Sequence, residues 1–347
     1  NFFYVLLTKN RFFFLTLQTE FSKTLLQQML SRHFIRAKVL QQLYACIVSK
    51  QTDIAIAEQE LLEGIEQTYK LEVYIYSAVL EIRDIAENQL EEAKTKFFPT
   101  EEDLNPNMRF IENTLLAQLR DNAELSKAVE KLKINWVEQK DMLKNILNRF
   151  KESNSYKTYM ENADCSYEDD KKVVLQLMRN YLLKNESFLE FLFEKQLYWE
   201  SDFSFVGLTF LNYLKEYKAE DAKTKPLFQM FDIEKDDRKS FAIDLLTKSL
   251  IHFDEYDEMF HKHVENWDMD RLAFLDRIII KMGMTELIYC PTIPVRVTMN
   301  EYIELAKEFS TERSKLFVNG LLDKFLIDLR AEGKINKEDV DQEEEEE

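Results

Sequence analysis

Arg32, His33 and Arg36 occupy one side of a helical stretch whose continuation, Val39, Leu40, Leu43 and Ile47, is apolar. At about 100° per residue the two sets share an azimuth, so the stripe starts basic and turns apolar. A core helix would be apolar throughout. Cations gathered in this way neutralise phosphates by displacing counterions. The spacing fits a helix end that projects beyond its bundle, with the positive end of the dipole aimed at an anion. The plainer reading is a solvated helix end with Ser31 as its cap. Lys38 lies on another face. Met29 to Lys50 holds four Lys or Arg residues and no acidic one.

Other chemistry finds little support in the spacing. His261 and His263 are two apart on a helical stretch and point away from each other, which argues against a shared metal. Cys46, Cys165 and Cys290 form no C-x-x-C pair, which fits a reducing cytoplasm and supplies neither a zinc nor a disulfide framework. The five glycines are isolated, so the dinucleotide fingerprint and the phosphate-binding loop are both missing. Carboxylates are too plentiful for any pair to mark acid–base catalysis. The residues point to binding without catalysis, cofactor or metal.

Long helices must position the basic cluster. Only five Gly and five Pro punctuate 347 residues rich in Leu, Lys, Glu, Phe and Tyr, which predicts an all-α fold of one large or two ordinary domains. Thr298 with Glu301 three residues later reads as a capping box and predicts a helix from about Met299. Ser310 and Thr311 then supply a break and a new cap. The last helix places Val318, Leu321, Leu322, Phe325 and Leu329 on one side. Phe317 is rotated away from them toward solvent, beside Asn319 and Gly320. Glycine inside a helix costs about 1 kcal/mol relative to alanine, so at Gly320 either a neighbour packs closely or the helix backs onto a partner.

The stretch from Ile293 to Lys324 resembles the C-terminal signature of the NusB family of bacterial transcription antitermination factors. That signature is a proline-bearing loop, then NE-x-x-E-LAK, a short turn, and KFVNG-x-LDK. Pro294, Asn300, Glu301, Glu304, Leu305, Ala306 and Lys307 fill the first block, and Phe317, Val318, Asn319, Gly320, Leu322, Asp323 and Lys324 the second. SRHFIRAKVLQQLYACIVS resembles the family's arginine-rich opening helix through Arg36, Gln41 or Gln42, Leu43 and Tyr44, with the arginine cluster thinned. Asp270 to Leu287 is similar to the family helix ending in Y/M-x-EL, here Met284, Glu286 and Leu287.

The resemblance implies NusB-like helical bundles with an enlarged helical insertion. Residues 29–69 would give the first helices of the core, 70–230 the insertion, 231–334 the C-terminal part of the core and 335–347 a disordered acidic tail. Residues 1–28 read as an upstream extension, with a surface helix as the alternative: they begin with Asn, have no charged head before FFYVLL and show no cleavage site, and Met29 is the first methionine. Glu58 to Lys96 reads as one or two long helices, Pro99 to Asn107 as a loop, Arg109 to Phe150 as helices around Trp136, and Glu152 to Asp170 as a flexible polar stretch. The insertion also looks like a degenerate repeat. Leu177, Met178, Phe188, Trp199, Glu200 and Asp202 stand 68 residues before Leu245, Leu246, Tyr256, Trp267, Asp268 and Asp270.

The functional expectation that follows is a cytoplasmic antitermination factor. The resemblance implies that it pairs with the small-subunit ribosomal protein that serves as NusE, binds single-stranded boxA-type RNA of ribosomal RNA transcripts, and joins the RNA polymerase antitermination complex. Arg32, His33, Arg36 and Lys38, joined by Arg313 and Lys315, would contact RNA. Phe317, Asn319, Gly320 and Glu286 would contact the protein partner. Some ribosomal RNA cytosine methyltransferases carry a NusB-like domain, but nothing here encodes their cofactor domain. The net charge of −18 looks wrong for an RNA binder, although eight of the acidic groups crowd into the last ten residues. The alternative is a helical protein-interaction scaffold in ribosome biogenesis with weakened RNA binding. No apolar run approaches the roughly 18 residues that span a bilayer.

Overall fold

The computed structural model describes residues 23–162, 164, 166–223, 227–228, 238–264, 273–311, 314–335 and 337, without the side chains of 23–31, 204, 208, 209, 223 and 261–264. The architecture is all-α, with no strand among the described residues. In chain order the helices are α1 Lys23–Ser49, α2 Ile54–Lys94, α3 Glu101–Leu104, α4 Thr114–Arg120, α5 Ala123–Lys131, α6 Lys140–Lys151, α7 Asn154–Glu161, α8 Tyr167–Gln176, α9 Glu186–Lys195, α10 Tyr198–Glu216, α11 Arg238–Ile251, α12 Glu255–Val264, α13 Phe274–Tyr289, α14 Val295–Phe309 and α15 Ser314–Ala331. No described helix is long and apolar enough to cross a membrane.

The chain divides into two compact units, one of residues Asn1–Ile65 with Asp232–Glu347, the other of Glu66–Phe231. In the first, α13 packs against α1, α11, α14 and α15, and α14 against α15. Its core joins Val39, Leu40 and Leu43 of α1 to Ile278, Ile279 and Met282 of α13, Tyr302 and Leu305 of α14, and Leu322 and Phe325 of α15. The expected apolar stripe of the last helix is buried as read: Val318, Leu321, Leu322, Phe325 and Leu329 all face inward. Thr311 Oγ1 accepts from the Ser314 backbone N–H, and the Ser314 hydroxyl accepts from that of Thr311, so Thr311 caps α15.

Several local expectations need correction. Helix α1 runs unbroken from Lys23, so Ser31 lies inside it and neither caps it nor marks its positive end. Helix α14 starts at Val295 behind Pro294, a turn before the expected start, and Thr298 and Glu301 form no capping box because their side chains bond elsewhere. Residues 152–170 are mostly helical rather than a flexible stretch. Ser153 caps α7, and Ser166 with Asp169 makes a capping box at α8. The loop after α2 contains the four-residue α3, held by a Thr100–Asp103 capping box.

In the second unit, Trp136 donates its indole N–H to the Ser77 hydroxyl at 2.8 Å, and Trp199 donates to the Gln67 carbonyl at 2.8 Å. Helix α8 continues as a π-helix, Leu177–Leu182, where α11 is regular. Both α8 to α10 and α11 to α13 are successions of three helices. Trp267, Asp268 and Asp270 lie outside the described residues, so the pairing of the two tryptophans does too.

Gly283, and not Gly320, is where helices close on each other. A Cβ on Gly283 would meet Leu322 Cδ2 at 3.0 Å and Tyr302 Cγ at 3.3 Å, whereas nothing lies within 4 Å of one on Gly320. The close-packing reading of Gly320 therefore falls away. Gly283→Ala is expected to cost about 1–3 kcal/mol through overpacking. Gly320→Ala is expected to stabilise by up to about 1 kcal/mol through helix propensity. Urea denaturation of the two variants beside the wild type reads both signs.

Candidate functional site

Arg36 is 1% exposed, and its guanidinium is enclosed by carboxylates. Its Nε and Nη2 donate to the two oxygens of Glu286 at 2.7 and 2.8 Å, and Nη1 donates to Glu301 Oε2 at 3.1 Å. Glu286, at 0% exposure, also accepts from the Thr298 hydroxyl at 2.9 Å and the Tyr302 hydroxyl at 3.1 Å. His33, one turn before Arg36, places Nδ1 3.0 Å from Glu301 and Nε2 3.0 Å from Glu308. Lys337 donates to Thr298 Oγ1 at 3.1 Å. Helix α1 is thus tied to α13 and α14 by one polar network in the interior of the first unit.

Electrostatics fixes the charge states. Burial alone would lower the His33 pKa, but hydrogen bonds and attraction from Glu301 and Glu308 outweigh it and hold the imidazole at about 10, above its ordinary 6.5. With both ring nitrogens facing carboxylates, the charged form is the one that donates twice. Burial likewise opposes ionisation of Glu301, and bonding to His33 and Arg36 overcomes it, leaving this carboxyl below its usual range. Burial pushes the Lys337 amine down to about 8 and the neighbouring Cys290 thiol up to about 12. Cys290 is a buried free thiol, and burial of this kind disfavours the reactive thiolate.

The sequence-derived RNA cluster separates on this geometry. His33, Arg36 and Lys38 are buried, so the basic end of the stripe does not project beyond the bundle; two of the three are held by carboxylates, and Lys38 Nζ lies 5.5 Å above the Phe34 ring. Arg32 and Lys315 are half-buried, with Arg32 Cζ 5.8 Å from the Phe241 ring centre, and Arg313 lies outside the described residues. The partner set also divides. Glu286 belongs to the interior, at 0% exposure, bonded to Arg36, Thr298 and Tyr302. Phe317 is half-buried against the core rather than turned to solvent, and Asn319, half-buried, donates to Asp323 at 3.2 Å. The exposed apolar groups on this helix are Leu316, 74% exposed, and Ile327, 66% exposed. They share a stripe with Gly320 and Asp323, at helical positions i, i+4, i+7 and i+11. Their helical azimuth, opposite the stripe of Val318, Leu322, Phe325 and Leu329, is the signal that could have singled them out.

A family model, the NusB family, matches residues 206–326. Transcription antitermination protein NusB of Salinibacter ruber is 41% identical over 99 residues, covering 28% of this chain and 62% of that protein. The protein of the same name from Myxococcus xanthus is 42% identical over 93 residues, 27% of this chain and 66% of its own length. That of Bacillus subtilis is 38% identical over 114 residues, 33% of this chain and 76% of its own. The chain belongs to the NusB family. It spans less than two thirds of the length of the first two relatives. No solved structure matches it. The NusB-like pattern residues Glu286 and Glu301 stand in the buried network of this family member, so part of the motif is spent on holding the bundle together.

Removing one partner from a buried charge pair strands the other, at about 3–5 kcal/mol. Arg36→Met is expected to lose that much in chemical denaturation. The pH dependence follows from the two shifts. His33, raised from 6.5 to about 10, contributes stability that is full below pH 6.5 and lost as pH rises through 10. Glu301, lowered from 4.5, contributes stability present above that value and lost as pH falls below it. The melting-temperature advantage of wild type over His33→Gln is expected to be widest between about pH 5 and 6.5 and to vanish near pH 10.

Proposed function

We propose that this chain is a cytoplasmic antitermination factor that pairs with the ribosomal protein serving as NusE, binds boxA-type RNA of ribosomal RNA transcripts, and joins the RNA polymerase antitermination complex. Membership of the NusB family carries the reading: relatives 38–42% identical are named transcription antitermination proteins. The work is binding, with cations neutralising phosphates and the paired surface selecting single-stranded bases by stacking and edge contacts.

Arg32 and Lys315, with Arg313, are the phosphate-contacting residues of this reading, and the buried His33 and Arg36 hold the helix that presents Arg32. The Leu316, Gly320 and Ile327 stripe of α15 is the surface for the ribosomal protein: two exposed apolar side chains with a glycine between them admit close approach of a partner. The burial of three of the six candidate cations favours a second reading, a helical interaction scaffold in ribosome biogenesis whose RNA binding has weakened.

A salt titration of binding to boxA-type RNA, with and without the ribosomal protein, separates the two. The antitermination reading expects binding that weakens with salt, and a slope reduced by about one counterion unit in Arg32→Ala or Lys315→Ala. The scaffold reading expects pairing with the protein and no RNA affinity above that of an unrelated strand. In both, Leu316→Asp combined with Ile327→Asp is expected to leave the chain folded and to weaken pairing at least tenfold, measured by calorimetry.

A further inference from the structure

Glu72 and Tyr76 stand one helical turn apart on α2 in the interior of the second unit. Glu72 is 3% exposed and Tyr76 wholly buried, yet neither Glu72 Oε2 nor the Tyr76 hydroxyl has a hydrogen-bond partner among the described residues. Buried polar groups are almost always satisfied. An orphaned carboxylate oxygen beside an orphaned hydroxyl therefore marks a place built to receive a further group.

Aromatic rings wall that place. Tyr69, Glu72 and Tyr76 share a face of α2 at i, i+3 and i+7. The Phe228 ring meets Tyr69 at 4.9 Å and Tyr76 at 5.8 Å, so it lies over the face that carries Glu72. Toward solvent the wall consists of half-buried Tyr69 and Tyr213, with exposed Glu124 in the first turn of α5. Burial, and then the negative charge of Glu124, raise the Glu72 carboxyl to about 8. Burial, followed by Tyr217, Asp221, Glu72 and Glu124, raises the Tyr213 phenol, so these groups face one another. Among the described residues no basic side chain answers Glu72. Lys171, which touches Tyr217, is engaged by the Tyr217 carbonyl at 3.0 Å and by Glu168 at 2.8 Å.

A carboxylate set among ring faces recognises an organic cation, which the rings attract and the carboxylate neutralises. A hard metal ion is a poor match, because no group of three or more His, Cys, Asp or Glu side chains among the described residues is arranged to hold one. Glu72 within and Glu124 at the surface are separate stations. They suit two cationic ends joined by a slim apolar chain.

We propose that this centre binds a small aliphatic diamine or polyamine, one ammonium donating to Glu72 Oε2 and the Tyr76 hydroxyl oxygen, the other lying against Glu124. Below about pH 8 Glu72 is mostly the neutral acid in the free chain. Its proton passes to solvent as the ammonium arrives, which leaves a carboxylate–ammonium pair.

The test is calorimetric titration of the full chain with 1,4-diaminobutane at fixed physiological salt, from about pH 6 to 9. One saturable site is expected, with affinity rising up to about tenfold between pH 6 and 7 and levelling above pH 8, where Glu72 is already ionised. The monoamine n-butylamine is expected to bind at least tenfold more weakly, and Glu124→Gln to bring the diamine down to that level. Glu72→Gln copies the neutral acid, so it is expected to keep the melting temperature at pH 7 while losing at least tenfold in affinity together with the pH dependence. Tyr76→Phe keeps the ring and is expected to bind several-fold more weakly. Absence of saturable binding to the wild type overturns the proposal. So does unchanged binding in Glu72→Gln, which would mark general attraction to an acidic surface. If Glu72→Gln does not fold, wild-type affinity in Tyr76→Phe overturns it instead. Equal affinity for the monoamine removes the outer station and the diamine with it, and displacement of the diamine by equimolar magnesium chloride would assign the centre to a metal ion.

Discussion

The Glu286 carboxylate, wholly removed from solvent, is the constraint on which the first unit depends. An ionised carboxylate in an apolar interior is costly unless it is paired and its lone pairs are filled. Here α1 supplies a two-pronged guanidinium and α14 supplies two hydroxyls. A shift of α1 by one turn would withdraw Arg36 from Glu286 and His33 from Glu301 together. Gly283, one turn before Glu286 on α13, lets Tyr302 and Leu322 come close enough for the network to close. The polar contacts thereby fix which faces of α1, α13 and α14 meet, while the surrounding apolar side chains supply most of the favourable burial.

Periodicity made the helices and their buried faces readable. The stripes of α1 and α15 are inside because repeated apolar residues at three and four spacings have one low-energy disposition. The same logic misled at polar positions. Thr298 and Glu301 have capping-box types and spacing, yet their side chains serve Glu286, His33 and Arg36, residues between 12 and 268 positions away in sequence. A local motif competes with distant partners that only the fold brings near. Arg32, His33 and Arg36 read as one cationic surface for a related reason: neighbouring azimuths do not say which cations will meet a carboxylate from another helix. The capped helices α7 and α8 were visible in principle through Ser153 and Ser166, each placed three residues before the backbone N–H it satisfies.

Internal pairing also bears on the acidic total. His33 and Arg36 answer Glu286, Glu301 and Glu308 inside the fold, so these charges contribute little to the field that a ligand meets. The second unit carries its own polar centre, in which Asp170 accepts from the Tyr159 hydroxyl at 2.6 Å and the Thr114 backbone N–H at 2.8 Å. Each unit is therefore organised around a buried carboxylate answered by groups from other helices. The NusB family assignment rests on the chain's kinship with its relatives, and the role of the buried polar network rests on its geometry.

The most direct test of that role is the titration of His33 by nuclear magnetic resonance on the folded chain with labelled imidazole nitrogens. A structural imidazolium held between Glu301 and Glu308 stays doubly protonated through neutral pH and releases its proton near pH 10. Titration near the ordinary value of 6.5 would place His33 in solvent and contradict the buried network.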